Sequence, residues 1–355
     1  MNREQLLERI RHGEVIQRYD LSALDLTGAD LSGGTFEKVR FAGAQLAGAR
    51  FRESNLVSCE LVGCQLANTN LHHATFVKCD LRNAVFASAE VPAADMTLTT
   101  FIESDLTGAK FEQCTLPIPV FIQCDLTRAS FAGSTLDRVR MLDLTSAEEM
   151  SFAGATVEQI TFFEADLSTL VFEGATLNMG LLVKCNFGAR DFSGLTLSRC
   201  QFNDSALAGS SFAGTVVNNS GFKGCDLSGA NFEKANASQC LFLEAKLTDA
   251  KMAGGNFNQS IFIDADLSRA DASGANLYQT NMDRTRCEGT NFSGADLTYA
   301  EFLHADISGA DFSGASLYRA RFHKTKEEGV IFTNRSAALG DDEKLAEAED
   351  FQPAV

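Results

Sequence analysis

From Leu21 onward every fifth residue is large and apolar, running Leu21, Leu26, Leu31, Phe36, Phe41, Leu46, Phe51 and on in unbroken register to Met141. All 25 positions of this run are Leu, Phe, Met or Val. A second run in steps of five starts at Phe152 and ends at Phe322, and only Ala237, Ala272 and Cys287 among its 35 positions are not large and apolar. A period of five fits neither an α-helix, with about 3.6 residues per turn, nor a flat strand, which alternates every second residue. It fits a chain that takes a short extended step, turns through a right angle and repeats.

The positions around each apolar centre support this reading. Two residues before it the side chain is usually small, as at Ala29, Ala44, Ala109, Ala129, Ala175, Ala230, Ala265, Ala295 and Ala310. The residue between is often Asp or Asn, and Gly recurs two residues after the centre. Large and small residues then point inward, and Gly, Ser and Asn supply the corner turns. The composition agrees with one local environment reused many times: Phe outnumbers Tyr 28 to 4, Trp is absent and Pro numbers 4.

These residues resemble the pentapeptide-repeat family, whose motif is A(D/N)LXX. Ala29-Asp30-Leu31-Ser32-Gly33, Ala230-Asn231-Phe232-Glu233-Lys234 and Ala295-Asp296-Leu297-Thr298-Tyr299 match it as they stand. The resemblance spans residues 20–333 and implies an all-β fold, a right-handed quadrilateral β-solenoid with four pentapeptides per coil. About fifteen coils are then expected, in a rod of roughly 70 Å at ~4.8 Å per coil. Residues twenty apart stack. One column runs Phe152, Phe172, Phe192, Phe212, Phe232, Met252, Ala272, Phe292, Phe312, and the opposite one runs from Phe162 to Phe322. Phe packs across two opposing faces, which leaves no room in the core for a cofactor.

The spacing from Met141 to Phe152 is eleven, so one residue is inserted within 142–151. The Phe and Leu columns continue through it, which reads as a bulge in one solenoid and not as a linker. Asp143, Glu148 and Glu149 lie there and are the candidate partner-binding residues, against the blander reading of a solvated loop. Residues 1–19 are expected to form an N-terminal cap whose helix, 2–12, has Asn2 as N-cap and Gln5 completing a capping box. Such caps cover the strand edges that a solenoid leaves open at its ends. Residues 334–355 are acidic, contribute no core position and are expected to be disordered.

The formal charge is −17. An acidic body disfavours direct contact with nucleic acid or anionic membrane, both of which need clustered Lys and Arg. No apolar run reaches the roughly 18 residues of a spanning helix, and the N-terminus has no apolar region followed by a cleavage site, so a cytoplasmic location is expected. Nine of the ten Cys, at 59, 64, 79, 114, 124, 185, 200, 225 and 240, take the small inward position, and Cys287 takes the large one. They read as core filler and not as metal ligands, with a Cys59–Cys79 disulfide as the one pairing that the stacking allows. His72 and His73 follow Leu71 at outward turn positions. No phosphate loop or nucleophile elbow is present, and most Asp residues are motif positions. No catalytic, cofactor or metal site is therefore assigned.

The sequence points to a non-enzymatic scaffold for a protein partner of unknown identity, and leaves open whether the chain is monomeric or dimeric. The family resemblance adds two implications. Long members are similar to components found beside bacterial secretion machinery, including type VI systems. Other members bind DNA gyrase or topoisomerase IV as DNA mimics and give quinolone resistance. The acidic charge suits the second alternative, but this chain is longer than that subgroup and its tail lacks the apolar stripe of a dimerising helix.

Overall fold

The pentapeptide units satisfy their backbone N–H groups in a recurring way, shown by one unit and the unit stacked on it. The unit around Leu26 is representative. The N–H of Leu26 donates to Gln45 O at 2.8 Å and that of Gly28 to Ala47 O at 2.9 Å, both in the next coil. The N–H of Gln45 reaches back to Leu24 O at 3.0 Å, and that of Ala29 closes the corner on Leu26 O at 2.9 Å. The remaining donor, Thr27 N–H, goes to the Asp25 carboxylate at 3.0 Å. Asp and Asn recur before the apolar centre because a side-chain acceptor two residues upstream takes the one N–H that no carbonyl reaches. Ser22 on Asp20, Ser32 on Asp30, Glu233 on Asn231 and Thr298 on Asp296 repeat the bond.

The resulting fold is a right-handed quadrilateral parallel β-solenoid of about 16 turns. The computed structural model describes residues 1–351, which form two compact units, Met1–Asn186 and Phe187 onward. The extended segments are three residues or shorter, because each face must turn again after one step. In the first unit, β1 (Val15–Gln17), β2 (Thr35–Glu37), β3 (Asn55–Val57) and β4 (Thr75–Val77) stack in order on one face. Further along, β5 (Thr100–Ile102), β7 (Val120–Ile122), β9 (Arg140–Leu142), β11 (Thr161–Phe163) and β13 (Leu181–Val183) stack on a second face. Between them in sequence lie β6 (Thr115–Pro117), β8 (Thr135–Asp137), β10 (Thr156–Glu158) and β12 (Thr176–Asn178), which continue the face of β1–β4 through the bridges Thr75↔Asp95 and Asp95↔Thr115. The second unit holds β14 (Thr196–Ser198), β15 (Asp311–Phe312) and β16 (Ile331–Phe332), and its other coils are joined by single parallel bridges such as Asn231↔Lys251. Pairing at a spacing of twenty, as in Phe36↔Leu56, shows four pentapeptides per coil.

The apolar centres from Leu21 to Phe322 are all at most 5% exposed, apart from Ala147. Phe222, Phe242 and Phe262 stack with ring centroids 5.0 and 4.8 Å apart. Phe222 meets Phe232 of the opposite column edge to face at 6.0 Å and 89°. Stacking up a column and T-contacts across it let one residue type fill the whole cross-section. At the corners the residue two after the centre sits at positive φ, near +65° for Gly48 and +55° for Asn68. Lys234 and Arg269 hold the same conformation at +56° and +59°, at about 1–2 kcal/mol each, because the axial hydrogen bonds fix the corner.

The N-terminal cap has the expected form. α1 (Arg3–Arg11) carries Asn2 as N-cap in a complete capping box and buries Leu6 fully. It is tied to the first coil by Arg3 to Thr27 O at 3.0 Å and Arg9 to Tyr19 Oη at 2.9 Å. Strand pairing already starts at Val15, within the segment 1–19 read as the cap.

The expectation of a disordered tail covers 334–355, of which 352–355 lie outside the described residues; the described part is placed as follows. Leu339 continues the ladder beyond Arg321, with Leu339 N–H on Ala320 O at 2.7 Å. Arg335 lays its guanidinium over Phe322 and Phe332, at 5.2 and 5.6 Å, and pairs with Glu327. α2 (Glu343–Glu349), N-capped by Asp342, then places Glu349 against His304, His323 and Lys324 at 3.0, 3.4 and 3.0 Å. The tail has few large apolar residues and docks largely through charge-assisted bonds that cover the exposed last coil. The same bonds explain why this cluster of His and Glu works as a latch. His323 Nδ1 accepts the Asp342 N–H at 3.0 Å, which leaves the ring proton on Nε2, facing Glu349.

All ten Cys are buried, free thiols, Cys59 and Cys79 included. A hydrogen bond from Cys79 holds the Cys59 thiol below its ordinary range. For most of the others desolvation dominates: burial pushes Cys64, Cys114, Cys225, Cys240 and Cys287 up to about 12. A folded-state value raised in this way favours the fold below the unfolded thiol value, about 8.5, and the contribution is lost as pH rises toward the folded one. Chemical denaturation should show stability falling from about pH 9 toward 12, and Ellman's reagent at pH 8 should label most of the ten thiols only after denaturation; rapid labelling of the native protein would contradict this core.

Deleting 334–355 should lower the melting temperature. The hydrogen bond from His304, with help from Lys324, depresses Glu349 to about 2, so its contribution is present above the ordinary carboxylate value and fades as pH falls toward about 2. The gap in melting temperature between full and truncated chains, followed by calorimetry, should therefore narrow over that acid range.

Candidate protein-binding groove

The inserted residue within 142–151 deforms one coil of the first unit. Before it, Met141 pairs normally with Phe162. After it, Ser146 pairs with Asp125 and Thr145 N–H donates to Cys124 O at 2.9 Å, so the chain is back in register at Ser146. The next centre falls on Ala147, in the column where the preceding coil carries Leu126. An alanine in a leucine position and a bulged-out Asp143–Thr145 together leave a groove of about 530 Å³. Leu144, Ala147 and Phe163 supply its apolar surface, and Asp143, Glu148, Glu164 and Asp166 supply four carboxylates.

Two of the three acidic residues singled out from the sequence, Asp143 and Glu148, thus line one groove. Glu149 does not. It sits at the corner at φ 54°, and its N–H donates to Thr169 Oγ1 at 2.9 Å. A second depression, of about 510 Å³, shares Thr145 with the first and is lined by Glu103, Asp105 and Asp125. The two adjoin at Thr145 and place carboxylates along one corner of the unit.

Beside this corner is a feature that the sequence reading missed. On the face of β5, β7, β9, β11 and β13 the residue just after each centre points outward, and it is Ile102, Ile122, Leu142, Phe163 and Val183 in turn. Phe163 is 44% exposed, and Leu181, at the start of β13, is 43% exposed. Elsewhere this position is mostly Ser, Thr, Lys, Arg or small, as in Ser32, Arg52, Thr107 and Ser168. The signal was available as aliphatic residues recurring every twenty or twenty-one positions, but it was hidden by the stronger period of five.

The rest of the surface is dominated by paired charges. Residues before the centres in the second unit, Asp226, Lys246, Asp266, Arg286 and Asp306, lie on one ladder as their spacing predicts. Lys246 pairs with Asp226 at 3.8 Å, Arg286 with Asp266 at 3.1 Å, and Lys326 extends the row onto Asp306 at 2.9 Å. Arg269 to Asp249 and Arg284 to Asp264, both 2.7 Å, repeat this one position round the corner. Each exposed pair is worth about 0–1 kcal/mol, so the ladders set surface pattern more than stability. Among the described residues no helix is long and apolar enough to cross a membrane. His72 and His73 lie with rings 4.7 Å apart near the surface.

With the coil and its surface described, the family follows. The chain matches the pentapeptide repeat region description over residues 215–292 and the pentapeptide repeats description over stretches running from 20 to 116 and from 285 to 334. These matches cover more than half of the chain, and it belongs to the pentapeptide-repeat family. No curated protein matches it. Among solved structures it is similar to HetL, a pentapeptide repeat protein involved in heterocyst differentiation regulation from the cyanobacterium Nostoc sp. strain PCC 7120, at 22% identity over 90% of this chain and 96% of that one, with a TM-score of 0.18. It is also similar to full-length QnrB1, a plasmid-mediated fluoroquinolone resistance protein, at 17% identity over 67% of this chain and 100% of that one, with a TM-score of 0.22. A third similarity is to a pentapeptide repeat protein of the Arabidopsis thaliana thylakoid lumen, at 28% identity over 37% of this chain and 66% of that one, with a TM-score of 0.13.

The division between inward and outward positions makes a direct test. Phe242→Ala, in a stacked column, should cost about 3–5 kcal/mol in urea denaturation. Phe163→Ser combined with Leu142→Ser, one residue outward from the core, should stay within about 0.5 kcal/mol per site. A large loss from the outward pair would show that the face is part of the core.

Proposed function

We propose that this protein is a non-enzymatic scaffold that binds a protein partner through the β5–β13 face of its first unit. The observation that carries this reading is the outward row Ile102, Ile122, Leu142, Phe163 and Val183. Axial hydrogen bonds need no particular side chain at these positions, and a contiguous apolar row on an exposed face marks an interaction site. The groove opened by Ala147 and the bulge adds concavity at the centre of the row, where binding energy concentrates. Reaction chemistry has no comparable support: the thiols are buried, and among the described residues the one grouping of His and Glu secures α2.

A second reading, a DNA mimic acting on gyrase or topoisomerase IV, is favoured by one observation. Glu103, Asp105, Asp125, Asp143, Glu164 and Asp166 follow one corner of the first unit as duplex phosphates follow a groove. Against it, the Asp226–Lys326 ladder of the second unit alternates the sign of its charges, and an apolar row flanks the acidic corner where DNA offers sugar and phosphate.

Two measurements separate these readings. The scaffold reading expects no inhibition of gyrase supercoiling by the purified protein, whereas inhibition at micromolar or lower concentration would replace it by the mimic. It also expects that Phe163→Ser with Leu142→Ser abolishes partner association in co-purification from the native cell, at unchanged melting temperature. Undiminished association would remove this face from the function.

A further inference from the structure

We propose that the occupant of this face is an amphipathic helix with a basic flank, supplied by the partner protein: its apolar stripe lies on the Ile102–Val183 row and its Lys or Arg side chains lie over the acidic corner. The inference rests on the scaffold reading above and names the partner's chemistry.

The backbone argues for a helix. Every coil directs its N–H and C=O groups along the solenoid axis into its neighbours, as in Phe101↔Phe121 and Phe162↔Leu182. A face therefore presents side chains and no free ladder edge, and an extended segment laid on it would find no partner for its own backbone groups. A helix satisfies its backbone internally. The spacing also matches. Rungs ~4.8 Å apart lie close to the rise between helix positions three and four apart, about 4.5 and 6 Å. Five rungs span about 19 Å, or roughly 13 helical residues, so one stripe can follow the row for its full length.

Charge complementarity fixes the flank. Among the described residues none of Glu103, Asp105, Asp125, Asp143 and Glu148 pairs with a Lys or Arg, whereas in the second unit Asp226, Asp249, Asp264, Asp266, Glu301 and Asp306 each pair with a cation twenty residues on. The chain also shows what a cation does at this corner. Lys184 places Nζ 3.1 Å from Glu164 and 5.4 Å from the centre of the Phe163 ring, joining a carboxylate and an exposed aromatic on one ammonium. Asp143 and Glu148, one coil earlier along the same groove, have carboxylates free for the same contact. Arg140, at the far edge of the face, disfavours the reversed orientation, with the basic flank away from the corner.

The test uses the full-length chain and labelled synthetic peptides of about 18 residues, long enough for the row, read by fluorescence anisotropy. One peptide carries a Leu stripe flanked by Lys, a second has Glu for every Lys, and a third keeps the Lys but replaces the Leu by Ala. The first should bind with micromolar affinity, as a small interface allows, and weaken as salt rises from about 50 to 300 mM. The second and third should bind at least about tenfold more weakly, and so should the first against Asp143→Asn with Glu148→Gln, against Phe163→Ser, and against Ala147→Leu, which fills the groove floor; each tenfold is about 1.4 kcal/mol. Equal binding of the acidic peptide, or binding untouched by the Asp143 and Glu148 changes while Asp226→Asn in the second unit weakens it, would overturn the proposal in favour of none or of general charge attraction. If no peptide binds but Phe163→Ser with Leu142→Ser still abolishes association with the native partner, the helix assignment falls and the face stands. If those variants leave that association intact, the scaffold reading itself has failed.

Discussion

The axial hydrogen bond between coils is the interaction on which the rest of this structure depends. It spaces the coils, sets the register at twenty and leaves each pentapeptide with one unsatisfied donor. That donor explains the recurrent Asp or Asn, and the corner it closes explains the Gly or Asn at positive φ. The bond also removes backbone chemistry from the faces. Whatever this protein recognises must be read by side chains before, just after and two after each centre.

Those outward positions are under little structural constraint, which is why differences among them carry functional meaning. Over most of the chain they hold Ser, Thr, Asn and charges paired with a residue twenty away, such as Arg50 with Asp30 and Arg321 with Glu301. The first unit departs from this in two ways at one place, beside carboxylates without a Lys or Arg partner: an apolar row and a bulge with Ala147 where a large centre belongs. None of these improves folding. Exposed Phe163 and the undersized Ala147 both give up burial that the fold would otherwise gain.

The two ends show the same physics under different chemistry. A solenoid must cover its last strand edges. At the N-terminus an amphipathic helix does so with Leu6, and the periodic Leu and Ile with a capping box made that helix legible. At the C-terminus the cover is Arg335 over two Phe rings and Glu349 on two His and a Lys. Such a segment reads as disordered by composition, because its partners, His304, His323 and Phe322, are distant in sequence and are brought together only by the coil.

The sequence alone determined the repeating step and turn, because a period of five with inward Leu, Phe and Ala fits neither helix nor flat strand, and the family resemblance implied the four-sided coil. It located the core columns, the buried cysteines, the helix at 2–12 and the insertion near Asp143, all of which follow from local spacing. Tertiary structure decided what lies beside what on the outside. Asp143 and Glu148 share a groove while Glu149 turns away, because the bulge rotates the chain between Met141 and Ser146. Ile102, Ile122, Leu142, Phe163 and Val183 are separate letters in five different repeats, and they become one surface only when twenty residues, or twenty-one across the insertion, close a coil.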